Sequence, residues 1–203
     1  MAHTRPGTHH VEQGNAAACA IALAALAYAT VRYNVFKGVP WSDWPVYVVN
    51  KAVALSSLLL LLAWLLRGRA GPGESPSSGL LSHARRFALA HVGLSLAILS
   101  PAYFPGFFVE GRLNWASGLS VLTGVMAASG LYLRSRPAVP RPAPVRSLGV
   151  VGLVTGIHAM LNGYGSWLAP ATWPGYLPPI TLVAFAAGAA SMGAALRHGG
   201  QDS

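Results

Sequence analysis

Charge is scarce in this chain, and negative charge most of all. Its 203 residues hold five Asp and Glu against fourteen Lys and Arg, and charged residues make up only 9% of the total. A soluble domain carries roughly a quarter. A surface cannot be covered with so few charges, so the composition excludes an ordinary soluble domain and points to a membrane protein. Cysteine is nearly missing as well. Cys19 stands alone, which excludes an internal disulfide and any C-x-x-C metal or redox motif. No G-x-G-x-x-G follows a strand, and no polar stretch is long enough for a flavin or NADPH domain. The basic residues form no face for nucleic acid, because they fall between apolar runs.

Apolar residues make up 53% of the chain. A helix needs about 20 mostly apolar residues to cross a bilayer. Six segments qualify, at residues 16–33, 46–66, 84–104, 115–133, 148–168 and 180–196. Strings such as "SSLLLLLAWLL" lack the alternation of a barrel strand, so the expectation is an all-α bundle of six transmembrane helices. Residues 1–15 read as a disordered tail, 16–197 as the membrane domain and 198–203 as a short C-terminal tail. Ala27-Tyr28-Ala29 resembles a signal-peptidase site, so a cleaved leader is the alternative for the first segment. The length of that run, and Arg32 and Lys37 after it, favour a retained span.

The loops set orientation. Arg67, Arg69, Arg85 and Arg86 lie between spans two and three. Arg134, Arg136, Arg141 and Arg146 lie between four and five, and Arg197 follows six. The other loops hold only Arg32, Lys37, Lys51 and Arg112. The positive-inside rule therefore places both termini in the cytoplasm. Trp41, Trp44, Tyr47, Tyr103, Trp115, Trp167, Trp173 and Tyr176 gather on the opposite side as an interfacial belt. "GRAGPGESPSSG" reads as a flexible tether, and "RPAVPRPAPVR" as a stiff basic loop.

Of seven histidines, two are deep in spans: His91 in the third and His158 in the fifth. An ionisable side chain in lipid is costly and marks function by default. His91 lies ten residues before Pro101 and His158 nine before Trp167. At 1.5 Å per residue both expected depths are about 14–15 Å from the outer interface. Two imidazoles at matched depth can ligate one iron from opposite sides, as in a b-type haem held by two histidines. Ala90, Gly93, Gly156, Gly163 and Gly165 leave room for a macrocycle, and Gly152 with Gly156 permits close helix approach. Asn162 follows His158 by one turn and can orient its ring; Ser95 stands in the same relation to His91. Two other readings stay open at this point. The histidines can hydrogen-bond across helices as glue, or line a proton path, though no span carries an acid for a relay.

The strings "VVNKAVALSSLLLL", "ARRFALAHVGLSLAILSPAYFPGFF" and "IHAMLNGYGSWLAPATWPGYLPPITL" together resemble the ferric reductase-like transmembrane domain family. The likeness is to small bacterial members without a flavin domain, and it covers spans two to six. It rests on the Asn-Lys opening of span two, the Arg-Arg before span three and one His in each of spans three and five. Trp-Pro-Gly followed by Pro-Pro-Ile-Thr before span six completes it. The resemblance implies a haem b bundle in the bacterial inner (plasma) membrane, with His91 and His158 as axial ligands. Larger relatives hold a second histidine about 13–14 residues, nearly four turns, along each helix. Here those positions are Phe104, Pro105, Ala171 and Thr172 outward, and Ser77, Ser78, Pro144 and Val145 inward. One such haem is therefore the most this chain can hold. Electrons would come from a quinone or another protein. The membrane partner of a periplasmic methionine sulfoxide reductase is a precedent for this architecture. Arg85, Arg86 and His83 could pair with haem propionates or a quinol on the cytoplasmic side, and Lys51 and Arg112 on the other; the favoured reading of each is the plainer one, a topology charge or a lipid-phosphate anchor. The competing expectation is a non-redox scaffold or accessory subunit that keeps the fold without haem.

Overall fold

The computed structural model describes residues 6–67, 78–134, 145–161 and 163–198. Among them six long helices follow one another: α1 (Pro6–Thr30), α2 (Val49–Arg67), α3 (Ser78–Ala97), α4 (Trp115–Arg134), α5 (Val145–Leu161) and α6 (Ile180–His198). One small antiparallel hairpin interrupts the helical pattern, pairing Phe108–Val109 with Arg112–Leu113. Four helical segments are long and apolar enough to cross a membrane: Gly14–Phe36, Trp41–Arg67, Trp115–Arg134 and Pro174–Arg197. That marks an integral membrane protein. Of the other two, α3 carries His83, Arg85 and Arg86 in its first half, and α5 has 17 residues. Large apolar side chains such as Leu23, Leu122, Met126 and Leu133 face outward, as lipid-facing positions must.

Helix α2 is the hub, packing against α1, α3, α5 and α6. Its Leu58, Leu60, Leu61 and Leu65 are fully buried. Most buried polar groups in this apolar setting are bonded within the protein; Arg32 Nε and Asn34 Oδ1 are the exceptions among the described residues. Ser56 Oγ donates to the Ala52 carbonyl and Ser191 Oγ to the Ala187 carbonyl, each one turn back along its own helix. Ser57 Oγ donates across to the Ala84 carbonyl of α3 at 2.8 Å.

The most intimate contact joins α5 to α6, and glycine makes it possible. A Cβ on Gly188 would lie 2.5 Å from the Gly152 carbonyl oxygen and 3.0 Å from the Gly156 Cα. The G-x-x-x-G of α5 thus meets the backbone of α6 directly.

Four expected boundaries differ by six residues or more, and one of them is the start of α3 at Ser78 rather than 84. Helix α1 extends back to Pro6, so most of the segment read as a disordered tail is helical. The apolar run from Ala16 supplies the nucleus, further turns add cheaply, and proline suits a first helical position. Helix α3 stops at Ala97 rather than at residue 104, because Pro101 forbids helical geometry before it. Helix α5 stops at Leu161 rather than at 168. There Gly163 donates its N–H to the Met160 carbonyl, and short 3-10 turns at Tyr164–Ser166, Pro170–Thr172 and Pro174–Tyr176 carry the chain to α6. Of the linker-like loops 68–79 and 136–146 and the tail 198–203, residues 68–77, 136–144 and 199–203 lie outside the described residues, while Ser78 and Gly79 open α3, Val145 and Arg146 open α5 and His198 ends α6.

The tight α5–α6 contact has a direct test. Gly188→Val should cost roughly 1–3 kcal/mol through overpacking and lower the thermal midpoint in detergent. Gly193→Ala, where an added Cβ meets nothing within 4 Å, should leave the midpoint unchanged or raise it. Equal midpoints for wild type and Gly188→Val would contradict this packing.

Candidate functional site

Helix α3 delivers His91 and α5 delivers His158 to the same place. The two ring centroids are 6.2 Å apart and the ring planes cross at 71°. On α5, His158 follows Gly156 by two residues, a rotation of about 200°. The helix therefore packs its glycine face on α6 and turns the imidazole the other way, toward α4. Gly124 of α4 makes room for it: a Cβ there would lie 2.9 Å from both Cε1 and Nδ1 of His158. Both histidines sit near the C-terminal ends of their helices, six residues before Ala97 and three before Leu161. The depth reasoning from Pro101 and Trp167 assumed longer helices, yet the juxtaposition it pointed to is present.

Each imidazole is held by an oxygen that accepts. His91 Nδ1 donates to Asn50 Oδ1 of α2 at 2.7 Å, and Asn50 Nδ2 donates to Ser95 Oγ at 3.0 Å. Ser95 Oγ also lies 3.3 Å from His91 Nδ1, closing a three-residue network. His158 Nδ1 donates to the Ser120 backbone carbonyl of α4 at 2.7 Å, and Ser120 Oγ donates to the His158 carbonyl at 3.2 Å. A backbone carbonyl can only accept, so the proton of His158 resides on Nδ1. The amide oxygen of Asn50 imposes the same tautomer on His91. In both rings Nε2 keeps its lone pair. Asn50 is 1% exposed and Ser120 2%, so water does not compete for these bonds.

The rings border a cavity of about 690 Å³ between the helices. That lies within the range of roughly 300–1,000 Å³ typical of cofactor and ligand sites. Its walls are largely apolar, with Leu58 and Leu61 of α2, Leu131 of α4 and Ala184 of α6 among them. Arg32, Lys37 and Lys51 also line it, and no carboxylate does among the described residues.

The spacing of the two rings is compatible with a bis-imidazole metal. Two metal–nitrogen bonds of about 2 Å each, plus the radii of the two rings, put the ring centres roughly 6.3 Å apart. The observed spacing is 6.2 Å. Among the described residues no group of three His, Cys, Asp or Glu could hold an ion by itself. Two nitrogens suit a metal whose other ligands arrive with it, as in haem.

The remaining expected site residues divide. Arg85 and Arg86 do not line the cavity: Arg86 is exposed, and both lie nearer the start of α3 than His91 does. Asn162 lies outside the described residues. His83 bonds Asn15 of α1 at 3.0 Å, and Arg112 sits exposed in the hairpin. Lys51 does reach the cavity. Asn50, Ser120 and Gly124 were missed as site residues. Asn50 had a signal, a buried amide beside Lys51 in an apolar run. Ser120 had none, because the group that binds His158 belongs to the main chain. No protein-family model matches the chain, and no curated protein is detectably similar to it.

The tautomers are open to measurement. Nitrogen-15 spectra of the apo-protein labelled at histidine should show His91 and His158 protonated at Nδ1. Asn50→Leu should disturb the His91 signal and leave that of His158 in place. An Nε2–H tautomer at either ring in the wild type would contradict the hydrogen-bond assignment.

Proposed function

We propose that this chain is a membrane b-type haem protein that carries electrons between a quinone or protein donor and a partner. The observation behind the proposal is the convergence of two imidazoles, each bonded at Nδ1 to a buried acceptor and neither with an Nε2 partner among the described residues. A bound haem would supply a one-electron iron couple. The protein's own residues do the rest. Asn50 and the Ser120 carbonyl fix ring orientation and tautomer and raise the basicity of the ligating nitrogens. The apolar walls keep water away from the iron site, and Gly124 keeps clear the space that His158 occupies.

In this reading all six helices cross the bacterial inner membrane with both termini in the cytoplasm. Arg67, Arg134 and Arg197 close α2, α4 and α6, while Arg146 opens α5, and together they support that sense. Helix α5 rises only about 25 Å, and the 3-10 turns after it complete its crossing. The resemblance to ferric reductase-like membrane domains belongs to the same proposal, with one haem in place of two.

Protein purified from haem-sufficient cells should show the reduced-minus-oxidised bands of a b-type haem, with one haem per chain. His91→Ala and His158→Ala should each abolish those bands while the protein still inserts and runs as a single species. A colourless wild-type protein would defeat the proposal and leave the scaffold reading.

A further inference from the structure

The cavity has a strongly cationic end that the histidines do not explain. Arg32, Lys37 and Lys51 all line it, and no Asp or Glu among the described residues does. Arg32 is only 7% exposed. One of its terminal nitrogens, Nη1, donates to the Leu177 carbonyl, but its Nε is buried without any hydrogen-bond partner. Lys51 is half-buried, and the contacts recorded for its ammonium are aromatic faces: Nζ lies 4.9 Å from the Phe104 ring centroid and 5.1 Å from that of Tyr47. Lys37, at the exposed rim, places Nζ 5.5 Å from the centroid of Tyr33. Ring faces soften the cost of a desolvated cation but do not neutralise it.

A local distortion of α1 brings these groups in. Val31–Phe36 continues α1 as a π-helix, and Arg32, Tyr33 and Asn34 within it are all buried. Such wide turns gather at functional sites. Lys51 directly follows Asn50, the residue that bonds His91. The cationic end is thus built into the same turn of α2 that holds one imidazole. Two cations in largely apolar surroundings, with a third at the rim, call for an anion, and no carboxylate among the described residues lines the cavity to meet them.

We propose that Arg32, Lys37 and Lys51 form a carboxylate site, and that the two propionate arms of the tetrapyrrole fill it. This rests on the haem reading above and deepens it. These three residues would hold the propionate arms at the α1–α2 end of the cavity, and the apolar walls such as Leu131 would face the rest of the ring. Of the candidate propionate partners read from the sequence, Lys51 belongs to this site, and Arg85 and Arg86 do not line the cavity.

The test compares two ligands in one protein. Apo-protein in detergent is titrated with iron protoporphyrin IX and with its dimethyl ester, which has the same ring and iron but no carboxylate charge. Charge-assisted bonds predict that wild type prefers the free acid by at least about tenfold. Lys51→Met should shrink that preference about tenfold while leaving ester binding and the bis-imidazole spectrum unchanged. Lys37→Met should act in the same direction with a smaller effect, as befits a rim residue. Equal wild-type affinity for acid and ester, with a normal bis-imidazole spectrum, would overturn this inference and leave the haem reading intact. That result is also expected if the cations take a carboxylate from solution instead. A preference that none of Lys51→Met, Lys37→Met and Arg32→Gln reduces would overturn the assignment to these residues. No bis-imidazole spectrum with either ligand would defeat the haem reading itself, and this inference with it.

Discussion

Inside a bilayer, a polar group must find its partner within the protein, because water is not there to substitute. That constraint organises this fold. Serines in α2 and α6 turn their hydroxyls back on their own carbonyls. Ser57 ties α2 to α3, and Tyr28 and Arg32 tie the end of α1 to the strand of chain before α6. At the centre, the same rule decides the chemistry of the two histidines. Each finds an acceptor for Nδ1, one in an amide side chain and one in a main-chain carbonyl. Once Nδ1 is used in this way, Nε2 is the nitrogen left to bind a metal.

Helix α5 shows how two demands share one short segment. Its glycine face lets α6 approach to backbone contact, and its opposite face presents His158 to α4. Across from it, Gly124 accommodates the ring. Moving His158 by a single position would turn the imidazole by about 100° and lose both the Ser120 carbonyl and the opposed ring. Close packing on one side therefore fixes the aim of the ligand on the other.

Much of the helical layout was legible because apolar runs near 20 residues admit few other readings. All six expected segments have a helix, and four of the helical segments have the length and apolarity to cross a membrane. The ends were less legible. Hydropathy continues through Leu99 and Trp167, whereas the helices break where Pro101 and Gly163 interrupt hydrogen bonding. The histidine pair was legible from its rarity in apolar sequence. Its partners were not, because Asn50 lies 41 positions from His91 and Ser120 acts through its backbone. Of the cations weighed from the sequence, Lys51 is the one that lines the cavity. Arg85 and Arg86 share a helix with His91, but helical rise separates them from it. Arg32 and Lys37 are brought to the cavity by the π-helical end of α1, which sequence periodicity does not reveal.

In the proposed function both imidazoles bind one iron with their rings crossed as they are here. Electron paramagnetic resonance of the oxidised, haem-loaded protein at low temperature tests it most directly. Ring planes crossed at 71° leave the iron's two π orbitals nearly equal in energy. The account predicts a strongly anisotropic low-spin ferric signal. A high-spin signal, showing that one imidazole is not bound, or the less anisotropic low-spin signal of near-parallel rings, would contradict it.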